Sequence, residues 1–514
     1  MSQAWASFSD LKERYSPAEL SFEMRRRTIG LFLGPLVFAL LLIMPTPAGM
    51  TWLGQEVLGI SAWTILWWIT EPIPIPATAL LPFVLIPVMG VMQPTAAYAI
   101  FGHPNTLLML GAYIITQGLI THGAARRFAV WMLSRSWVGN SPTRLLLTFL
   151  GASALLSSVM SNIPVTMLFL AVGTGILGTL KISTNSNYAK SLALASAYGA
   201  QAGGFMTPIG AISPNFLMIA LIGSVLHYQI RFADWCLWGI PFGLLSYAVM
   251  AVYFLVFLKP DTASLGNASV WAKEELRKMG PMTRGERNSV FAIVLAMVLW
   301  FFPSVVAAIY GSTSPTSKFF DTALEASAVS LGVAALMFLL PINWKERKFT
   351  MTWPEANKGV EWGILLLVAA GLLLGTAMGL KEVGLMTYAA KALSGLIGGT
   401  SPMLAVLGMT AVTVLLTQFL PNPPTIAVMV PISITVATAI GANPVAMALT
   451  VGIAAQQSYA LPISAPQMAL AYGAGYMKIT EFTKYGTLLS IIMVFVTAIV
   501  MYYLTGVVYP FAAK

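Results

Sequence analysis

The sequence predicts an all-α polytopic membrane protein with about 11 transmembrane helices and two re-entrant helical hairpins arranged as an inverted repeat. Three observations carry this. Hydrophobic residues make up 57% of the 514-residue chain and charged residues only 9%, where a soluble protein is charged at roughly a quarter of its positions. Apolar runs long enough to cross a bilayer recur along the whole chain. Two apolar blocks break in the middle, at Ser161-Asn162-Ile163-Pro164 and at Pro421-Asn422-Pro423-Pro424.

A crossing helix needs roughly 20 apolar residues. The candidate runs are Ile29–Met44, Val57–Thr70, Pro74–Met92, Thr106–Thr121, Tyr188–Val225, Trp235–Leu258, Val290–Tyr310, Ala323–Ile342, Val360–Leu380, Asn443–Tyr476 and Tyr485–Val508. Tyr188–Val225 and Asn443–Tyr476 are too long for one straight helix, and glycine and proline interrupt both. The blocks Thr143–Leu180 and Pro402–Ile440 read as hairpins, because backbone groups freed at mid-depth need protein or a polar cavity around them. The mixed-charge segment ahead of Ile29 is not a signal-peptide pattern. Trp63, Trp67 and Trp68 are expected at the lipid interface.

The net charge of +10 would suggest nucleic acid on a soluble domain; here it sets orientation, and no nucleic-acid partner is expected. With the N-terminus in the cytoplasm, alternate crossings put all but five of the 28 lysines and arginines inside. The five are Arg231, Lys318, Lys381, Lys391 and Lys514. No lysine or arginine then lies at mid-membrane, and no acidic residue needs burial. A multi-pass protein of the cytoplasmic membrane follows, with the lipid bilayer as its solvent. The lone Cys236 excludes an intramolecular disulfide.

The two halves repeat one order of parts. Asn105–Thr121, the short stretch Ala124–Arg135, the hairpin broken at Asn162 and the long broken run with Gly203-Gly204 and Ser213-Pro214-Asn215 match Val360–Leu380, Glu382–Leu396, the hairpin broken at Asn422 and the run with Leu461-Pro462 and Ala465-Pro466-Gln467. The two hairpins enter from opposite sides. Paired interrupted segments point to a transporter site near the midplane. At the tips, Ser161, Asn162 and Asn422 join open helix N-termini, which suit an anion, and unwound carbonyls, which suit a small cation. His103, His122 and His227 lie at span ends, and neither a metal-protease motif nor a phosphate loop is present, so a membrane-embedded enzyme is the weaker rival. The paired hairpins argue against a channel.

The ordered set Thr70-Glu71-Pro72-Ile73-Pro74-Ile75-Pro76-Ala77-Thr78-Ala79-Leu80-Leu81, Ser161-Asn162, Gly203-Gly204 with Thr207 and Gly210, and Trp362-Gly363-Ile364-Leu365-Leu366 resembles the divalent anion:sodium symporter family, from about residue 29 to 508. The resemblance implies a homodimer whose subunits each hold a scaffold and a transport part, the latter moving like an elevator. It divides the chain into a cytoplasmic segment 1–28, scaffold 29–139, transport part 140–258, cytoplasmic linker 259–288, scaffold 289–398 and transport part 399–514.

It also implies Na+ positions at Ser157, Ser161, Asn162 and the Gly210 carbonyl, and at Thr417, Asn422 and the Ser464 carbonyl. Substrate contacts are expected from Asn162, Asn422, Ser161, Pro466, Gln467, Ser213 and Asn215. The family carries a Ser-Asn-Thr triplet at each tip and Thr-Pro-Pro-Asn in the last broken span. Here Ile163, Pro421, Pro423 and Ala465 stand where hydroxyls would hold substrate carboxylates. Gln201, Gln456, Gln457, Tyr459, Gln467 and Asn215 are alternative donors nearby. The expected function is secondary transport of a small organic anion of the di- or tricarboxylate class, coupled to Na+; the alternative is a sodium-independent anion exchanger.

Overall fold

The computed structural model describes residues 17–262, 268–397 and 399–510. The expected N-terminal cytoplasmic segment therefore lies partly outside the described residues, as do residues 263–267 of the linker, residue 398 and residues 511–514 at the C-terminus.

The chain runs through α1 (Pro17–Ile43), α2 (Trp52–Thr70), α3 (Ile75–Thr78), α4 (Leu80–Val88), α5 (Pro94–Ala99), α6 (Pro104–Thr121) and α7 (Ala124–Leu133). Next come α8 (Pro142–Ser157), α9 (Asn162–Thr179), α10 (Asn187–Gly204), α11 (Ile212–Leu226), α12 (Phe232–Phe257), α13 (Ala268–Lys278), α14 (Arg284–Tyr310), α15 (Pro315–Ala323) and α16 (Ala326–Met337). A small antiparallel hairpin, β1 (Pro341–Asn343) with β2 (Lys348–Phe349), pairs Pro341 with Phe349. Then follow α17 (Trp353–Gly359), α18 (Trp362–Gly379), α19 (Leu385–Ile397), α20 (Pro402–Thr417), α21 (Asn422–Ala439), α22 (Pro444–Ala454), α23 (Pro466–Gly473), α24 (Ile479–Val496) and α25 (Tyr502–Val508), the last two joined by a π-helical turn at Thr497–Met501.

Apolar side chains stand in the open along α12, α14 and α24, among them Leu237, Val252, Val294, Val298, Ile491 and Phe495. In water such stripes would associate; in a bilayer they face lipid. Among the described residues, seven helices are long and apolar enough to cross a membrane, and up to nine if each bent pair counts as one span. The protein is a polytopic all-α membrane protein.

Several runs fold differently from one straight crossing. Pro74–Met92 becomes α3 and α4, because prolines at 74, 76, 82 and 87 restrict the backbone and remove N–H donors. Ala323–Ile342 reduces to α16, bent 46° from α15, and its end turns into β1. Of the three tryptophans expected at the interface, Trp68 is fully buried, while the half-buried Trp67 donates Nε1 to Gly30 O at 3.0 Å and the half-buried Trp63 packs on Phe38. Two acidic residues are buried after all. Glu286 forms an ion pair with Arg127, and Glu56, drawn in because α2 starts at Trp52, is 6% exposed.

The centre is built on α10 and α22. Every residue of α22 is buried, as is α10 from Ser191 to Gly204. Their Ala, Gly and Ser content lets neighbouring backbones approach closely. A Cβ on Gly203 would sit 1.9 Å from Ala154 O, and one on Gly199 would sit 2.5 Å from Leu150 O. Both arms of the first broken block, α8 and α9, pack on α10; both arms of the second, α20 and α21, pack on α22.

Candidate functional site

Four interruptions put polar backbone in the interior. Helices α8 and α9 part at Ser158–Ser161, and α20 and α21 part at Gln418–Pro421. After α10 the chain unwinds through residues 205–211, and after α22 through 455–461, all but Leu461 buried. Buried carbonyls freed this way require donors, and the sequence supplies them from side chains.

At the first tip, Asn162 opens α9. One end of its carboxamide lies 2.7 Å from Ser157 Oγ, 2.9 Å from Ala200 O and 3.1 Å from Gly210 O. With nitrogen at that end, it donates to both carbonyls. With oxygen there, the Ser157 hydroxyl donates to it, and the neighbouring Ala200 and Gly210 carbonyls add oxygens of the kind a small hard cation takes. The other end of the amide is 3.5 Å from Gln201 Oε1. Ser161 caps α9 by position but makes no side-chain cap bond, which leaves its hydroxyl open at the tip.

At the second tip, Asn422 opens α21. Its Oδ1 accepts from Ser458 Oγ at 3.1 Å and lies 3.2 Å from Thr417 Oγ1, which is itself 2.5 Å from Ala455 O. Ser464 joins one step removed: its hydroxyl donates to Ser458 O at 3.1 Å and Leu461 O at 2.5 Å. Gln418 splints the unwound stretch, donating to Gln457 O at 2.9 Å and accepting from Ala460 N–H at 2.8 Å. Gln457 donates to Thr497 Oγ1 at 3.2 Å in the π-helical turn, a local widening often found beside functional sites.

Two amide pairs cross between the halves. Gln467, at the start of α23, donates Nε2 to Gln201 Oε1 at 2.6 Å. Gln456 donates to Asn215 Oδ1 at 3.0 Å, while Asn215 Nδ2 faces the carbonyls of Gly204, Thr207 and Pro208 at 2.9–3.3 Å.

The structure thus gathers Ser157, Asn162 and Gly210 into one cluster and Thr417 and Asn422 into another, with Ser464 one step removed and engaged through its hydroxyl, not the expected carbonyl. Gln467 reaches the first cluster through Gln201. Asn215 is fully buried and engaged with backbone, so in this conformation it pins the break. Pro466 is exposed at the first turn of α23. Ser213 Oγ has no partner and makes no hydrogen bond to either tip. Ser458 and the Ala200 and Ala455 carbonyls were not legible as site atoms. Ser458 lies in a polar run, Gln456-Gln457-Ser458, that stands out in an apolar block, whereas a carbonyl carries no sequence signal. Among the described residues, no charged side chain hydrogen-bonds to either tip, and no cluster of His, Cys, Asp and Glu could hold a metal ion.

The family model described as the sodium:sulfate symporter transmembrane region matches residues 25–508. The sodium-dependent dicarboxylate transporter of Staphylococcus saprophyticus is 30% identical over 486 residues, covering 93% of this chain and 91% of the relative. Its Staphylococcus aureus counterpart is 30% identical over 490 residues with the same coverage. Among solved structures, the Alcanivorax borkumensis YdaH transporter superposes with a TM-score of 0.54 at 12% identity, covering 95% of this chain and 98% of that one. Neisseria gonorrhoeae MtrF gives 0.53 at 11% identity, covering 81% and 84%. These two likenesses concern the fold alone.

Proposed function

The chain belongs to the sodium:sulfate symporter family, a family of membrane transporters and not of enzymes, and from that premise we propose that it is a secondary active transporter coupling an organic anion of the di- or tricarboxylate class to Na+. The observation that carries the reading is the pair of oxygen clusters at the tips. Asn162 with Ser157, Ala200 O and Gly210 O, and Asn422 with Thr417, Ser458 and Ala455 O, offer neutral oxygens at hydrogen-bond range. A neutral site binds an anion poorly unless a cation offsets the charge taken out of water. Na+ in the clusters supplies that offset, and the open end of α9 faces the anion. The names of the staphylococcal relatives support both ions.

Within this reading, residues 140–258 and 399–514 form the transport part and residues 29–139 and 289–398 the scaffold. The subunit pairs as a homodimer, the N-terminus is cytoplasmic, and the two halves form an inverted repeat. The transport part shifts as a unit across the membrane.

The test is uptake of labelled carboxylates into proteoliposomes. Symport requires that an inward Na+ gradient drives accumulation with no substrate inside, and that choline in place of Na+ abolishes it. Uptake that ignores Na+ and requires an internal carboxylate would identify the sodium-independent exchanger instead.

A further inference from the structure

The two tips are unequal in a way that bears on the cargo. Aligned position by position, Ser161-Asn162-Ile163-Pro164-Val165 faces Pro421-Asn422-Pro423-Pro424-Thr425. A helix N-terminus holds an anion through its unpaired N–H groups, and proline has none. At the second tip, positions 421, 423 and 424 therefore offer no donor. Thr425 N–H is spent on Pro421 O at 3.2 Å, as is its hydroxyl at 3.1 Å. Only Asn422 remains to donate.

The first tip keeps the N–H groups of Ser161, Asn162 and Ile163 and the uncapped Ser161 hydroxyl. It also has Gln201, which is fully buried with its carboxamide against Asn162 and Gln467. Gln201 Nε2 has no hydrogen-bond partner. A buried amide donor without an acceptor is rare and costly in a native interior, so an occupant that accepts from it is the natural complement.

We propose that the site recognises its cargo as a monoanion, with one carboxylate seated at the first tip on the open N–H groups of α9 and the Gln201 amide, and an uncharged end toward the second tip. This deepens the transport reading and rests on it. A dicarboxylate is then carried in its singly protonated form, and a half-amide of the same length is the better ligand, because a second carboxylate at the second tip meets Pro421 and Pro423 with no hydrogen-bond donor but Asn422.

The experiment uses the full-length protein in Na+-loaded detergent and in proteoliposomes. The probes are dicarboxylates of four to six carbons, their half-amides and their diamides. At neutral pH the best half-amide binds at least about tenfold tighter than its dicarboxylate by thermal shift, since one unmet charged-group contact is worth that much. The diamides do not bind, and dicarboxylate uptake rises as pH falls. Gln201→Leu removes the half-amide advantage. The Pro421→Ser/Pro423→Thr double variant, which restores donors, shifts preference toward the dianion and guards against a Gln201 variant that fails to fold. Na+-coupled uptake that favours the dianion at every pH overturns the monoanion inference alone. If no probe binds or moves with Na+, the transport reading falls and this inference with it.

Discussion

Gln456 Nε2 donates to Asn215 Oδ1 at 3.0 Å across 241 residues of sequence, joining the broken span of the second half to that of the first. Asn215 in turn presents its Nδ2 to the carbonyls of Gly204, Thr207 and Pro208 where the chain leaves α10. Its role in this conformation is to hold the break open. Asn215→Ala strands buried carbonyls at a cost of ~1–3 kcal/mol. The expected outcome is a melting temperature in detergent lowered by several degrees, with Na+ and carboxylate still raising it. Unchanged stability with loss of the ligand effect would make Asn215 a binding residue instead.

Asn162 and Asn422 should behave in the opposite way. Each faces oxygens that gather at a tip, and removing the amide takes one ligand from a cation site. Asn162→Ala and Asn422→Ala are expected to raise the Na+ concentration for half-maximal uptake roughly tenfold or more, a charged-group contact being worth ~1.5–3 kcal/mol. Sodium titrations of uptake in proteoliposomes measure this. If both variants kept wild-type Na+ dependence, the tips would not be the ion sites.

Helix α10 tests the packing. A methyl on Gly203 would fall 1.9 Å from Ala154 O, backbone that has no side-chain end to swing aside. Gly203→Ala should destabilise by ~1–3 kcal/mol through overpacking, while Gly178→Ala on α9, with nothing within 4 Å, should be neutral or slightly stabilising. Thermal unfolding of the two variants side by side separates close approach from a general intolerance of change at glycine.

Arg127 anchors α7 to the start of α14. Its Nε and a terminal nitrogen meet the Glu286 carboxylate at 2.7 and 3.1 Å, and Nη1 donates to Gly280 O at 2.7 Å. Glu286 also accepts from Thr283 N–H at 2.7 Å in a capping box. Arg127→Ala leaves a buried carboxylate unpaired, expected to cost ~3–5 kcal/mol. Adding Glu286→Gln to that variant should recover part of the loss, because the neutral amide keeps an oxygen for the cap. A double-mutant cycle by thermal unfolding reads the coupling.

Much of this is legible in the sequence. Proline beside asparagine in an apolar block marks a helix start, and α9 and α21 begin at Asn162 and Asn422. Gly203 and Gly204 mark where α10 stops, whereas α22 stops at Ala454, ahead of the polar run Gln456-Gln457-Ser458 and well short of Pro462. Hydropathy failed where it reports apolarity without partner. It could not separate α3 and α4 from a single crossing, nor tell that Trp68 faces protein and not lipid. The burial of Glu286 depends on an arginine 159 residues away, and the Gln201–Gln467 pair depends on two halves folding onto each other. No local pattern encodes either.

Coupling is reciprocal: if Na+ drives the anion, an anion gradient must drive Na+. The most direct measurement is radiolabelled Na+ entry into proteoliposomes with and without an inward carboxylate gradient, at zero Na+ gradient and clamped voltage. The carboxylate gradient is expected to drive Na+ accumulation, and Asn162→Ala and Asn422→Ala to weaken it at sub-saturating Na+. Identical Na+ entry with and without the carboxylate would contradict the coupling.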